Sequence, residues 1–490
     1  MASHLVSDLK RLASSSGLYA VGELARRGLA FFLLPLYTRY LDPAEYGALE
    51  MLSALSSILF ACIMLGLPSA LTKCYHRDCK TDDDRASLLA TTLALDLPVL
   101  LVAGSLLAIY AESIGRLVIG EAGYGPLVRL VVATAVVLSI MAIILASFRA
   151  RERAKAFVLL NLSQFVPAMI LNVVLVVRFD MGVRGVLWGN LISSLIALVL
   201  GLWVVRQDSV LRLERRLVRP LLRFGLLLVP VMLATWVIDM SDRYVLRLYT
   251  SLEEIAVYGV GYKIGMVLQM AIVWPFQLAW PAVSFSISKR SDHLQSYARV
   301  LTYLLAALTF GWLGLALLSR AGLTALVGEN YAEAYRLVLP VALAYVFNGI
   351  HFCLNPGVHI AGHTRYLSLI SGLAAGLNLG LNFLVVPHYG VLGAAWTTAA
   401  TFLFIAVATA VLSQRVYPVP HEVGRLIKVV LAGAIIYAAA VTFEPQGLIT
   451  GLLWHFAWAA VGFPALLVAS GFLDQEERAA LQKLYDKRPS

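Results

Sequence analysis

Charge is scarce in this chain. Asp, Glu, Lys and Arg make up 14% of its 490 residues, where a soluble protein carries roughly a quarter. Hydrophobic residues make up 60%, and the mean hydropathy is +0.80. Together these exclude a large solvated surface. Cysteine is equally sparse, and Cys62, Cys74, Cys79 and Cys353 offer no disulfide framework. Long polar segments are missing. No connection between apolar runs exceeds roughly 20 residues, too few for a folded domain outside a membrane. No Walker-type phosphate loop is present, so ATP is not the direct fuel. The first apolar run is interrupted by Glu23, Arg26 and Arg27, which argues against a cleavable signal peptide. No nucleophile stands beside a base. We therefore expect no catalytic residue, no cofactor and no metal site, and do not read the chain as an enzyme.

What is present is a succession of apolar stretches. They fall near 16–38, 46–71, 87–110, 127–148, 157–177, 185–205, 221–246, 256–282, 298–318, 334–356, 365–386, 391–413, 426–443 and 448–472. Most have the length a bilayer demands. In hydrocarbon every backbone polar group must be paired within its own segment, which means helices. Runs such as 130–146 do not alternate apolar with polar residues, so a membrane barrel is excluded. The expectation is an all-α polytopic membrane protein of about fourteen transmembrane helices.

The net charge of +10 does not point to nucleic acid, because the cations sit in short loops. On one side the loops and termini carry 27 Lys and Arg, on the other nine, with Arg243 among the nine. The positive-inside rule then puts both termini in the cytoplasm of a cell (inner) membrane protein. An even number of spans requires the same. The segment 4–12, with Leu5, Leu9 and Leu12 at helical spacing, suits the membrane surface.

The two halves resemble each other. Tyr46-Gly47 recurs as Tyr258-Gly259, 212 residues on. Gly182-Val183-Arg184-Gly185 recurs as Gly390-Val391-Leu392-Gly393, and Asn172 as Asn382, at offsets of 208 and 210. Six spans separate the copies, so they share one orientation: a parallel repeat of two six-helix lobes, the kind of repeat transporters use. The expected organisation is an N-lobe over 1–205, a basic cytoplasmic linker over 206–220, a C-lobe over 221–414, two further helices over 415–473 and a cytoplasmic tail over 474–490.

Charges inside spans are expensive and mark partners or wet cavities. Glu23, Arg26 and Arg27 share one face of the first span. Arginine grips phosphate in a bidentate fork. One reading has this face line a central cavity and meet a pyrophosphate; the other has it form a packing ion cluster. Glu50, Asp96, Asp239 and Lys263 are the other intramembrane charges. The 212 offset sets Arg27 on Asp239 and Glu50 one position before Lys263. This suggests pairs of Arg27 with Glu50 and of Asp239 with Lys263, or a carboxylate that carries a coupling proton or sodium ion. Asn378 and Asn382, four apart, suit sugar hydroxyls or neighbouring helices. His351, Asn355, His359 and His363 form a stripe better suited to hydrogen bonding than to zinc. Cys74, His76 and Cys79 beside Asp82, Asp83 and Asp84 make a poor metal set.

The string Pro35-Leu36-Tyr37-Thr38-Arg39-Tyr40-Leu41-Asp42-Pro43-Ala44-Glu45-Tyr46-Gly47 resembles the opening signature of the polysaccharide exporters, the Wzx-type oligosaccharide flippases. These belong to the multidrug/oligosaccharidyl-lipid/polysaccharide exporter superfamily. The resemblance extends over the chain in length, span number and Gly-Val-x-Gly turns. It implies two lobes around a cationic lumen. It also implies an undecaprenyl-pyrophosphate-type lipid-linked oligosaccharide as cargo, moved to the outer leaflet for O-antigen or exopolysaccharide synthesis beside a polysaccharide polymerase. Arg26 and Arg27 match the family's lumenal cations by span and depth, Lys263 more loosely. Rival readings are a lipid II flippase, a multidrug exporter, and, in another class, a membrane polysaccharide polymerase or ligase. The multidrug exporter would favour an acidic lumen. The polymerase or ligase would need a large outer loop.

Overall fold

The computed structural model describes residues 31–206, 210, 212–327, 329–445, 447–473 and 477. Among them there is no strand, and twelve helices are long and apolar enough to cross a membrane. One of these, Arg365–Val416, is two helices meeting at Gly390, whose φ of 54° and ψ of −137° lie outside the helical region. It accounts for two of the expected spans. The span expected at 16–38 lies mostly outside the described residues, as do the segment 4–12 and nearly all of the tail. The described residues are all-α and polytopic, as hydropathy demands of a chain with about fourteen apolar stretches.

We label the helices used below as α1 (Pro43–Ile63), α2 (Leu67–Arg77), α3 (Asp82–Ile109), α4 (Ala111–Ile119), α5 (Gly125–Ala150), α6 (Ala154–Val173), α7 (Gly182–Val205), α8 (Arg215–Tyr249), α9 (Leu252–Gly265) and α10 (Tyr335–Ile360). Two compact units are present. One comprises Met1–Lys263 with Ser368–Thr401, the other Ile264–Leu367 with Phe402–Ser490.

Within the first unit, local chemistry sets the helix ends. Pro43 opens α1, where its missing N–H costs nothing. α1 and α2 are separated by a tight break at Leu65 (φ 49°) and Gly66 (φ 66°). A Cβ on Gly66 would stand 2.5 Å from the Gly225 carbonyl oxygen, and one on Gly225 2.5 Å from that of Leu65. Two bare backbones therefore touch where α8 passes the break, a packing mode suited to a solvent as apolar as the helices. α3 begins with a reciprocal capping box between Thr81 and Asp84. Asp84 also pairs with Arg216, so this member of the aspartate triplet closes a helix end and ties α3 to the first turn of α8. Glu112 on α4 accepts the N–H groups of Gly123 (2.8 Å) and Gly125 (3.0 Å). These backbone donors hold its carboxyl below the usual glutamate range.

The repeat is visible in backbone and side chains. Gly182 and Gly390 have φ of 53° and 54°, a left-handed conformation that glycine adopts without steric cost. Asn172 and Asn382 are both fully buried. Asn172 Oδ1 accepts the Tyr37 hydroxyl at 3.0 Å, and Asn382 Oδ1 accepts the Thr397 hydroxyl at 2.7 Å.

In the second unit, the polar stripe on α10 is knitted internally. His351 Nδ1 lies 2.8 Å from Thr409 Oγ1, and Asn355 Nδ2 3.3 Å from His351 Nε2. Asn348 donates to Gln269 Oε1 at 3.1 Å.

Candidate functional site

Two polar features stand out in the first unit. The larger is a cavity of about 520 Å³, within the range of small-molecule sites. α1 lines it with Ser53, Ser56, Ser57 and Phe60, and α5 with Val131, Thr134, Leu138, Met141, Leu145 and Arg149. α6 adds Phe157 and Gln164, and α7 adds Leu187 and Asn190. The α5 residues recur at three- and four-residue intervals and so share one face. From Val131 to Arg149 that face runs about 27 Å, most of a bilayer core. Arg149 is in the last turn of α5, and its guanidinium lies over the Phe157 ring at 5.8 Å. No carboxylate is among the described lining residues.

The second feature is a buried ion cluster. Glu50 on α1 accepts Lys263 of α9 and lies 3.5 Å from Arg243 Nε of α8. Arg243 Nη1 also contacts Asp242 Oδ1 at 3.0 Å, and Asp242 accepts the Tyr258 hydroxyl. Lys263 donates to the Tyr46 hydroxyl at 2.6 Å. The Arg243 guanidinium lies over the rings of Tyr258 (5.5 Å) and Tyr262 (4.8 Å). Among the described residues two carboxylates and two cations balance, which offsets the cost of placing charge in hydrocarbon. The repeat mates Tyr46 and Tyr258 each hold one charged member. Their glycines let α1 and α9 close up: a Cβ on Gly47 would stand 1.9 Å from the Leu252 carbonyl oxygen, and one on Gly259 2.6 Å from the Glu50 carboxyl carbon.

These positions differ from the expectation in particular ways. Glu50 and Lys263 are brought together, whereas the offset had suggested Lys263 with Asp239. Arg243, counted with the outer-side cations, is buried among them, and Asp242 had been passed over. Both escaped because they sit near a span end, where charge is ordinary. Asp239 is one turn before Arg243, and its carbonyl accepts Arg243 Nη1 at 3.2 Å. Asn378 and Asn382 are fully buried and bonded to neighbouring helices: Ser241 donates to Asn378 at 3.4 Å, and Asn378 donates to Thr401 at 3.1 Å. Glu23, Arg26 and Arg27 lie outside the described residues. The cavity was missed because isolated Ser and Thr in apolar helices usually bond their own backbone. The available signal was Ser53, Ser56 and Ser57 on one face.

Comparison with known proteins agrees with this architecture. No curated protein matches the chain in sequence. The fold resembles that of the lipid II flippase MurJ in an inward closed conformation, with a TM-score of 0.73 at 13% identity over 92% of this chain and 99% of that one. It also resembles a multidrug resistance MATE family transporter of the MOP superfamily. In the inward-facing form of that transporter the TM-score is 0.64 at 14% identity, covering 88% of this chain and 96% of that one. Against an outward-facing structure of a multidrug resistance MATE family transporter the TM-score is 0.57 at 15% identity, over 88% of this chain and 96% of that one. The family model described as "Polysaccharide biosynthesis protein" matches residues 12–288, more than half of the chain. This multi-pass membrane protein therefore belongs to the polysaccharide biosynthesis protein family.

Proposed function

We propose that the chain is a flippase that carries a polyprenyl-pyrophosphate-linked oligosaccharide from the cytoplasmic to the outer leaflet of the cell membrane. It does so by alternating access of two six-helix lobes and serves surface or exopolysaccharide synthesis. The observation that carries this reading is a cavity set with serine, threonine and amide side chains along about 27 Å of membrane helix. A pyrophosphate sugar cannot cross hydrocarbon unaided, and polar side chains at that depth shelter its glycan while its lipid tail stays in the bilayer. Membership of a polysaccharide biosynthesis family agrees with such cargo. A cation exporter would call for acidic groups, and the described lining has none. A lipid II flippase differs only in the glycan carried. A proton or sodium ion remains the candidate coupling ion, and Arg26 and Arg27 remain the candidate pyrophosphate ligands.

Deleting the gene in its native host tests the proposal. Lipid-linked oligosaccharide accumulates in the cytoplasmic leaflet and surface glycan disappears, while peptidoglycan synthesis continues. Loss of peptidoglycan synthesis instead would assign the lipid II cargo, and unchanged leaflet distribution would reject a flippase. In the complemented strain, Arg26→Ala and Arg27→Ala each stop transport while the protein stays in the membrane; full transport by both removes the arginines from the site.

A further inference from the structure

Several side chains on the lining of the first unit's cavity present oxygen lone pairs to its contents. A serine or threonine hydroxyl has one proton to give and two lone pairs. Ser53 gives its proton to the Leu49 carbonyl at 2.7 Å, Ser57 to Ala54 at 2.8 Å and Thr134 to Leu130 at 2.8 Å. Trp236 Nε1 takes one lone pair of Ser57 at 3.0 Å. Gln164 spends an amide N–H on Ser194 Oγ at 3.1 Å, which leaves its carbonyl oxygen to the cavity. Among the described lining residues the donors are the Asn190 amide, whose oxygen already accepts Asn172 at 3.4 Å, the second amide N–H of Gln164, the Ser56 and Ser69 hydroxyls and the Arg149 guanidinium at one end. Between these polar atoms the walls are apolar: Leu52, Phe60, Leu138 and Phe157.

We infer that this cavity holds an uncharged sugar unit of the lipid-linked cargo, with ring hydroxyls donating to Ser53, Ser57, Thr134 and Gln164. The inference rests on the flippase reading and deepens it. A row of acceptors suits a polyol, because every sugar hydroxyl has a proton to donate. The same row repels a pyrophosphate, which is itself only an acceptor. An organic cation would find no carboxylate among the described lining residues to neutralise it. Apolar walls meet the C–H faces of a sugar ring, the usual division of labour in a small-molecule site. Those four oxygens thereby serve the glycan and not the anionic linkage.

The test uses the purified full-length protein and two lipids: undecaprenyl pyrophosphate, and the oligosaccharide-bearing lipid extracted from the deletion strain. Wild type binds the glycan-bearing lipid more tightly than the bare one. Thr134→Val with Gln164→Leu removes two acceptors at nearly constant shape. It weakens binding of the glycan-bearing lipid by about tenfold and leaves binding of the bare lipid unchanged. Thr134→Ser with native Gln164 keeps both acceptors and binds like wild type, which separates lost acceptors from damaged packing. An equal loss for both lipids, or no loss for either, overturns the inference while the flippase reading stands. Wild type that binds neither lipid, together with a deletion that traps no oligosaccharide, ends the flippase reading and this inference with it.

Discussion

Arg243→Ala should destabilise the protein by about 3–5 kcal/mol, the usual cost of stripping one partner from a buried ion pair. The arginine is 4% exposed and touches both carboxylates of the cluster, Glu50 at 3.5 Å and Asp242 at 3.0 Å. Without it two acids share one lysine in a medium that tolerates no net charge. Lys263→Ala is expected to cost less, because Glu50 keeps Arg243. Removing matched partners together, as in Glu50→Gln with Lys263→Met, should cost less than the two single changes summed, the signature of direct coupling. Unfolding of the detergent-solubilised protein by heat or denaturant measures all five variants. A melting temperature for Arg243→Ala equal to wild type would show that the cluster contributes nothing.

Gly47→Ala should be nearly as damaging. The added Cβ would fall 1.9 Å from a main-chain oxygen of Leu252, and a backbone atom cannot rotate away as a side chain does. α1 and α9 must separate, pulling Glu50 away from Lys263. A loss of roughly 3 kcal/mol, the upper end for overpacking, is expected. Gly372→Ala and Gly376→Ala are the controls: no described atom lies within 4 Å of either added Cβ. There alanine should be neutral or stabilising by up to about 1 kcal/mol, from helix propensity. The same unfolding measurement separates the cases. Equal stability of Gly47→Ala and Gly376→Ala would contradict the close helix crossing.

The repeat explains why these residues meet and why the sequence pointed to them only in part. Tyr46-Gly47 and Tyr258-Gly259 are legible as a pair because both halves retained them. The glycines admit close helix contact, and the tyrosines reach into the gap. The charges are not duplicated. At an offset of 212, Glu50 corresponds to Tyr262, so its carboxylate has no mate and its partners were not deducible from symmetry. Pairing each charge within its own half was a reasonable guess. The structure pairs Lys263 of α9 with Glu50 of α1 rather than with Asp239, across the halves, while Arg27 lies outside the described residues.

The sequence by itself determined that the chain is helical, crosses a membrane about fourteen times and was built by duplication. Those properties follow from the bilayer, which requires every peptide group to be paired locally and so writes itself into hydropathy residue by residue. Only the tertiary structure decided which buried charges neutralise one another, and that Ser53, Ser57, Thr134 and Gln164 face a common cavity. Such relations depend on how separate helices are rotated and how closely they approach, and no spacing along a single chain encodes that.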